Sequence, residues 1–234
     1  MKKSIVPLLA AIAVVGTLYI LLDSRSPRTQ TDVAVAQGNG ADSTQEQEPG
    51  QASEKTKHRV TPQMWERSAA WTKAPAPEIS AQADDGTVYS LADMTNGKPA
   101  VVIFIKDKCP CSAAADPYFT QLHLAYKDQV NFFGVIDGGA ETAKGWKDLH
   151  KTPYPILLDP DLIMVKDYQV SNSAYVALIN SNGQIERLWP GYSESMLKEM
   201  NRQIASLRGV AAPDLRFTDA PEEPFSGCPF DTGL

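Results

Sequence analysis

Residues 107–116 read Asp-Lys-Cys-Pro-Cys-Ser-Ala-Ala-Ala-Asp, which places two of the chain's three cysteines, Cys109 and Cys111, on either side of Pro110. The third, Cys228, lies in the C-terminal segment. Three chemistries are open to such a set. The thiols can exchange disulfides, Cys109 and Cys111 can clip a soft ion such as Cu(I), or both can be small buried residues without chemistry. A Cys109–Cys111 bond would close a very small ring, hard to reconcile with disulfide geometry. Cys228 has ample reach: about twenty residues follow Leu207, and at roughly 3.3 Å each they span about 65 Å when extended. The oxidised chain is therefore expected to link Cys228 to Cys109 or Cys111 and to leave one thiol free. Cys109 is the expected partner if the bond is catalytic, Cys111 if it is structural.

The elements around these residues place the pair at a junction. Ala100–Ile105 (AVVIFI) is a continuous apolar run bounded by Lys-Pro and Lys-Asp-Lys, the pattern of a buried central strand. Ser112–Lys127 reads as a helix with Phe119, Leu122 and Tyr126 on one face. Cys109 thus sits where a strand enters a helix, where free N–H groups and the helix dipole favour a thiolate. Lys106 and Lys108 add positive charge, opposed by Asp107. Thr61-Pro62 opens a short helix towards Trp71, and further elements follow at Val130–Ile136 (strand), Glu141–Lys151 and Asp161–Tyr168 (helices). Tyr175–Asn180 and Ile185–Trp189 flank an Asn-Gly step that signals a hairpin. Glu194–Leu207 closes the series as an amphipathic helix. The sum is an α/β domain with a central mixed sheet.

Residues 1–22 carry Lys2 and Lys3 followed by an apolar run of nearly the length that crosses a bilayer. No small-x-small cleavage site follows it, so an uncleaved anchor is expected ahead of the alternative, a removed signal, with the N-terminus in the cytoplasm and the domain on the extracytoplasmic, periplasmic side. Thiols oxidise and stay oxidised there. Residues 23–60 are polar and read as a flexible linker, 61–208 as one domain, and 209–234 as a Pro- and acid-rich tail without a regular element, whose Leu215, Phe217, Phe225 and Phe230 are expected to dock on the domain and hold Cys228 against it. The net charge of −6 gives no support for nucleic acid as a partner. His58 falls in the linker, His123 reads as a structural helix residue, and His150 sits at a helix end; none recurs at ligand spacing with another.

Three stretches carry a family resemblance. APAPEISAQADDGTVYSLADMTNGKPAVVIFI, YPILLDPDLIMVKDYQV and VALINSNGQIERLWPGYS, in that order and spacing, resemble the redoxin (AhpC/TSA-like) group of the thioredoxin superfamily, which contains peroxiredoxins and membrane-tethered thioredoxins. The likeness spans roughly residues 71–207 and implies a thioredoxin-like fold. It also sets a register. Thioredoxins have a helix-kinking proline eight residues after the first active cysteine, and Pro117 stands in that relation to Cys109; Phe104 also fits. Cys109 then takes the place of the attacking thiol, Ser112 that of the usual resolving partner, and Cys111 is an additional thiol between them. A Gly-Cys near the C-terminus, as at Cys228, occurs in some redoxin-like proteins with a Cys-Pro motif.

Several positions depart from the family pattern. The peroxiredoxin motif Pro-x-x-x-Thr-x-x-Cys has Val102 and Lys106 at its proline and threonine positions here, so ordinary peroxiredoxin catalysis is not carried over. Ala174 or Ser173 stands where thioredoxins have a cis-proline, and Ile103 where they have a buried acid. The expected activity is thiol–disulfide exchange or peroxide reduction, with Cys109 attacking and Cys111 or Cys228 resolving, acting on a thiol/disulfide protein or a peroxide and needing no cofactor. The alternatives are a noncatalytic domain whose cysteines staple the tail, and a copper-binding protein using Cys109 and Cys111. Copper chaperones of the superfamily carry Cys-x-x-x-Cys and a distant histidine, a spacing this chain lacks.

Overall fold

The structure is a computed structural model and describes residues 58–232. The apolar run of residues 1–22 and most of the expected linker lie outside the described residues. Among the described residues no helix is long and apolar enough to cross a membrane.

The elements follow in the order β1 (His58–Arg59), α1 (Pro62–Ala70), β2 (Ser80–Gln82), β3 (Val88–Ser90), α2 (Leu91–Met94), β4 (Ala100–Ile105), α3 (Pro110–Tyr126), β5 (Asn131–Ile136), α4 (Ala140–His150), β6 (Ile156–Leu158), α5 (Ile163–Asp167), β7 (Val176–Ile179), β8 (Ile185–Trp189), α6 (Glu194–Arg208) and β9 (Phe225–Ser226). Five strands form a mixed sheet in the order β6-β5-β4-β7-β8. Central β4 pairs parallel with β5 and antiparallel with β7. All six β4 residues are buried, as a strand covered on both faces requires.

Side chains alternate along the pleat, so β4 feeds two cores. Val101, Ile103 and Ile105 pack with Phe119 and Leu122 of α3 and with Leu197 and Ile204 of α6. Val102 and Phe104 face the other way, with Leu91, Val165 and Tyr168. The helix termini are written in the sequence: Thr61 and Ser193 each accept a hydrogen bond from an N–H of the following first turn, and Gly209 ends α6 in the left-handed conformation. Helix α3 begins two residues before the expected Ser112, because Pro110 supplies the first helical position and Cys109 becomes the N-cap. Pro117 lies inside that helix, where it removes one backbone hydrogen bond.

Two expectations about the chain ends are corrected. His58–Val60, assigned to the linker, is part of the fold: β1 pairs antiparallel with β9, and the Val60 N–H donates to the Pro224 carbonyl. The tail, expected to form no regular element, supplies β9, while the docking expected of its apolar residues is found at Phe217 and Phe230. Its charges stay outside, with Glu223 paired to Arg59, while its aromatic residues go inside. Phe217 (1% exposed) enters one core and Phe230 (5%) the other. Each buried phenylalanine contributes about 1.5–3 kcal/mol, enough to offset ordering of neighbouring residues.

One glycine permits the docking. At Gly191, with φ 154°, a Cβ would lie 2.1 Å from the Phe225 carbonyl oxygen, and that neighbour is backbone, bonded in both directions to Tyr192. Gly191→Ala should destabilise the domain by about 1–3 kcal/mol, lowering Tm by about 3–10 °C, and should make residues 209–224 more sensitive to limited proteolysis. An unchanged Tm and cleavage pattern would contradict this account of the tail.

Candidate active site

Cys109 ends the loop that leaves β4. Its approach is fixed by Asp137, which accepts from the Asp107 N–H at 2.6 Å and from the Lys106 ammonium at 3.2 Å. Lys108, just before Cys109, has φ 55°, a left-handed conformation uncommon for a residue with a side chain. The chain turns sharply there and delivers Cys109 to the N-cap of α3.

The tail arrives opposite. The Gly227 N–H donates to the Ser173 carbonyl at 2.8 Å, the Ser173 N–H donates to the Cys228 carbonyl at 3.0 Å, and Asn172 donates to the Gly227 carbonyl at 2.8 Å. This antiparallel pairing leaves no room for a side chain at 227: a Cβ on Gly227 would lie 1.9 Å from the Ser173 hydroxyl oxygen. It brings the Cys228 sulfur to 2.7 Å from that of Cys109, and the Cys228 N–H to 3.1 Å from the same sulfur. Of the two partners the sequence left open for Cys228, Cys109 is the one whose sulfur accepts from the Cys228 N–H.

Ser173 completes the surroundings. Its hydroxyl donates to the Cys109 sulfur at 3.4 Å and accepts from the Ser112 hydroxyl at 2.8 Å. The Ser112 oxygen in turn accepts from the Lys106 N–H. Cys109 is only 3% exposed, and burial alone would push its thiol up. The hydrogen bond with the Cys228 thiol, then those from Ser173 and from the N–H groups of Ser112 and Cys228, outweigh burial and bring it down to about 7. The expected help from lysine charge is corrected: Lys106 is paired with Asp137 and Lys108 with Asp107, and the preference for thiolate comes from the donors.

The other thiols are held in the opposite state. Burial and then the hydrogen bond and charge of Cys109 push Cys228 up to about 12. Cys111, buried on the first turn of α3, is also raised, first by burial and then by the charge of Cys109. One nucleophile is thus prepared among three thiols. Beside Cys109 opens a pocket of about 400 Å³ lined by Pro110, Ala113, Trp146, Leu149 and His150. His150 packs against the Trp146 ring at a tilt of 40°, and half-buried His123 packs edge-on to Phe132 and Tyr154, the structural place expected for it.

Among the described residues, His58, Cys111 and Cys228 form a group whose potential donor atoms lie within 4.8 Å of one another, a set that shares Cys111 but not Cys109 with the pair considered from the sequence. His58 had no visible partner in the sequence because its contacts come from residues far along the chain. Counting from β7 located Ser173, but only the fold shows its hydroxyl turned to sulfur.

The sequence matches the AhpC/TSA family over residues 72–188, and the chain belongs to that family. The comparison with curated proteins finds no match. Among solved structures, the thioredoxin domain of a thiol-disulfide oxidoreductase from Bacteroides vulgatus is similar at TM-score 0.51 and 22% identity, covering 57% of this chain and 97% of that one. Peroxidoxin BcpB from Mycobacterium tuberculosis matches at TM-score 0.52 and 14% identity, covering 60% and 97%. A thiol:disulfide interchange protein from Bacteroides sp. matches at 0.51 and 22%, covering 57% and 90%. At these identities the likeness establishes the thioredoxin-like fold and not the activity.

Because only the thiolate alkylates readily, Cys109 should react with iodoacetamide in the reduced chain with a rate that rises through about pH 7. Ser173→Ala removes a donor to the charged form, worth about 1.5–3 kcal/mol, and should move that midpoint up by about one pH unit or more. Less Cys109 would then be thiolate at neutral pH. A midpoint that stays in place would show that Ser173 does not stabilise the thiolate.

Proposed function

We propose that this member of the AhpC/TSA family is a thiol–disulfide oxidoreductase, membrane-tethered on the extracytoplasmic side, with Cys109 as the attacking thiol and Cys228 as the resolving one. The observation that carries the reading is the 2.7 Å contact between one sulfur inclined to be a thiolate and another held protonated. The anchor is proposed from the apolar run at residues 1–22 and Lys2 and Lys3.

The step balances as two successive exchanges. The Cys109 thiolate attacks one sulfur of a substrate disulfide; that S–S bond breaks, a mixed disulfide forms, and the departing substrate thiolate takes up a proton. The negative charge on Cys109 is then gone, and with it one of the causes that kept Cys228 protonated. Cys228 loses its proton and attacks the Cys109 sulfur, breaking the mixed disulfide and releasing the second substrate thiol. The substrate gains two electrons and the protein's dithiol becomes a disulfide, which a dithiol reductant must reopen.

The site favours disulfides over peroxides. Lys106 and Val102 leave it without the threonine hydroxyl and proline of the peroxiredoxin motif, and Lys106 is engaged by Asp137. A peroxide would instead convert Cys109 to a sulfenic acid, from which Cys228 would expel water. Cys228→Ser, mixed with an aromatic disulfide probe, should accumulate a one-to-one mixed disulfide at Cys109 by mass spectrometry. The unsubstituted chain should release both probe thiols, and Cys109→Ser should react more slowly, by about 10-fold or less, since burial still disfavours the thiolate of its two remaining cysteines. Unimpaired reaction of Cys109→Ser would refute the assignment. Faster oxidation by hydrogen peroxide than by the probe at equal concentration would shift it to peroxide reduction.

A further inference from the structure

We propose that His58, Cys111 and Cys228 form a site for a thiophilic d10 cation, Zn²⁺ or Cu⁺, that competes with the Cys109–Cys228 disulfide. The exchange reaction uses neither His58 nor Cys111, yet the fold gathers both around Cys228. A ring nitrogen of His58 and the two sulfurs lie within 4.8 Å of one another. An ion bound at about 2.3 Å from sulfur and about 2.0 Å from nitrogen needs donors roughly 3.5–4 Å apart, so closure asks for side-chain rotation of about an ångström.

The donors come from three separate places in the chain: β1, the first turn of α3, and the tail just after β9. Their meeting is built by backbone. The β1–β9 pairing sets His58 opposite Ser226, two residues before Cys228, and the bonds between 227–228 and Ser173 hold Cys228 from the other side. Cys111 is fixed by α3 and is buried. Two thiolates and an imidazole select soft or borderline ions over Mg²⁺ and Ca²⁺. Cys109 lies beside the group without belonging to it, so it stays available as a nucleophile.

Binding would replace the thiol protons of Cys111 and Cys228 by the ion. A bound ion therefore occupies the thiol that resolves Cys109. Conversely, closing the Cys109–Cys228 bond converts the Cys228 thiolate to a disulfide sulfur and removes one of three donors, releasing the ion. This redox half rests on the exchange reading above; the metal site does not.

The test uses the full chain, fully reduced and anaerobic, given Zn²⁺ or Cu⁺ in separate arms and then desalted for elemental analysis. One equivalent should be retained in at least one arm, and the arm that retains it identifies the ion. Co²⁺ in place of Zn²⁺ should give a thiolate-to-metal charge-transfer band. His58→Ala, at an exposed side chain, and Cys111→Ser should each weaken binding at least about 10-fold while the circular dichroism spectrum is unchanged. Cys109→Ser should keep the metal while losing disulfide exchange, which separates failure of this site from failure of the proposed activity. Loss of retention in both arms, or retention untouched by His58→Ala, would overturn the proposal. So would equal loss in Cys109→Ser and Cys111→Ser, which would move the site to that pair.

Discussion

Everything proposed for this chain depends on the backbone pairing between Ser173 and residues 227–228. The two N–H···O bonds that make it are ordinary in strength, about 1 kcal/mol each. They act together with Phe217 and Phe230, whose burial in separate cores gives the tail two anchors on either side of the site. The result is that a sulfur more than a hundred positions away in sequence meets Cys109 at 2.7 Å. Without that pairing Cys109 would lose its contact with Cys228 and with the Cys228 N–H.

The same pairing resolves a tension in the site. A thiol that is 3% exposed should hold its proton, yet a nucleophile must shed it. Hydrogen-bond donors reconcile the two, because they stabilise the anion without admitting water. The cover they provide has a cost in access, since the tail lies where a substrate's chain would pair in a thioredoxin-like protein. The pocket lined by Trp146, Leu149 and His150 gives a second approach to Cys109.

Much of the scaffold was legible in the sequence because its signals are local. Continuous apolar Ala100–Ile105, the Asn-Gly step before Ile185 and the Thr-Pro start of α1 mark elements found within a residue or two. The same local signals placed Cys109 at the junction of β4 and α3, where it is the N-cap. What escaped was whatever depends on a distant partner. Strands β1 and β9 are two residues each and have no periodicity to read; they exist because they pair with each other. The short strands β2, β3 and β6 and the single turn α2 are hard to read for the same reason. In the site, the sequence pointed to the N–H groups at the head of the helix, with Lys106 and Lys108 adding positive charge that Asp107 opposes. Each is neutralised by a carboxylate, and the effective donors, Ser173 and Cys228, come from β7's approach and the tail.

The central claim is that Cys109 and Cys228 form the working redox pair, with Cys111 outside it. Peptide mapping without reduction, after treating the reduced chain with one equivalent of a disulfide oxidant and blocking free thiols, tests it most directly. The account predicts a Cys109–Cys228 linked peptide as the main product, with Cys111 recovered alkylated. Recovery of Cys228 unlinked, or linked chiefly to Cys111, would contradict it.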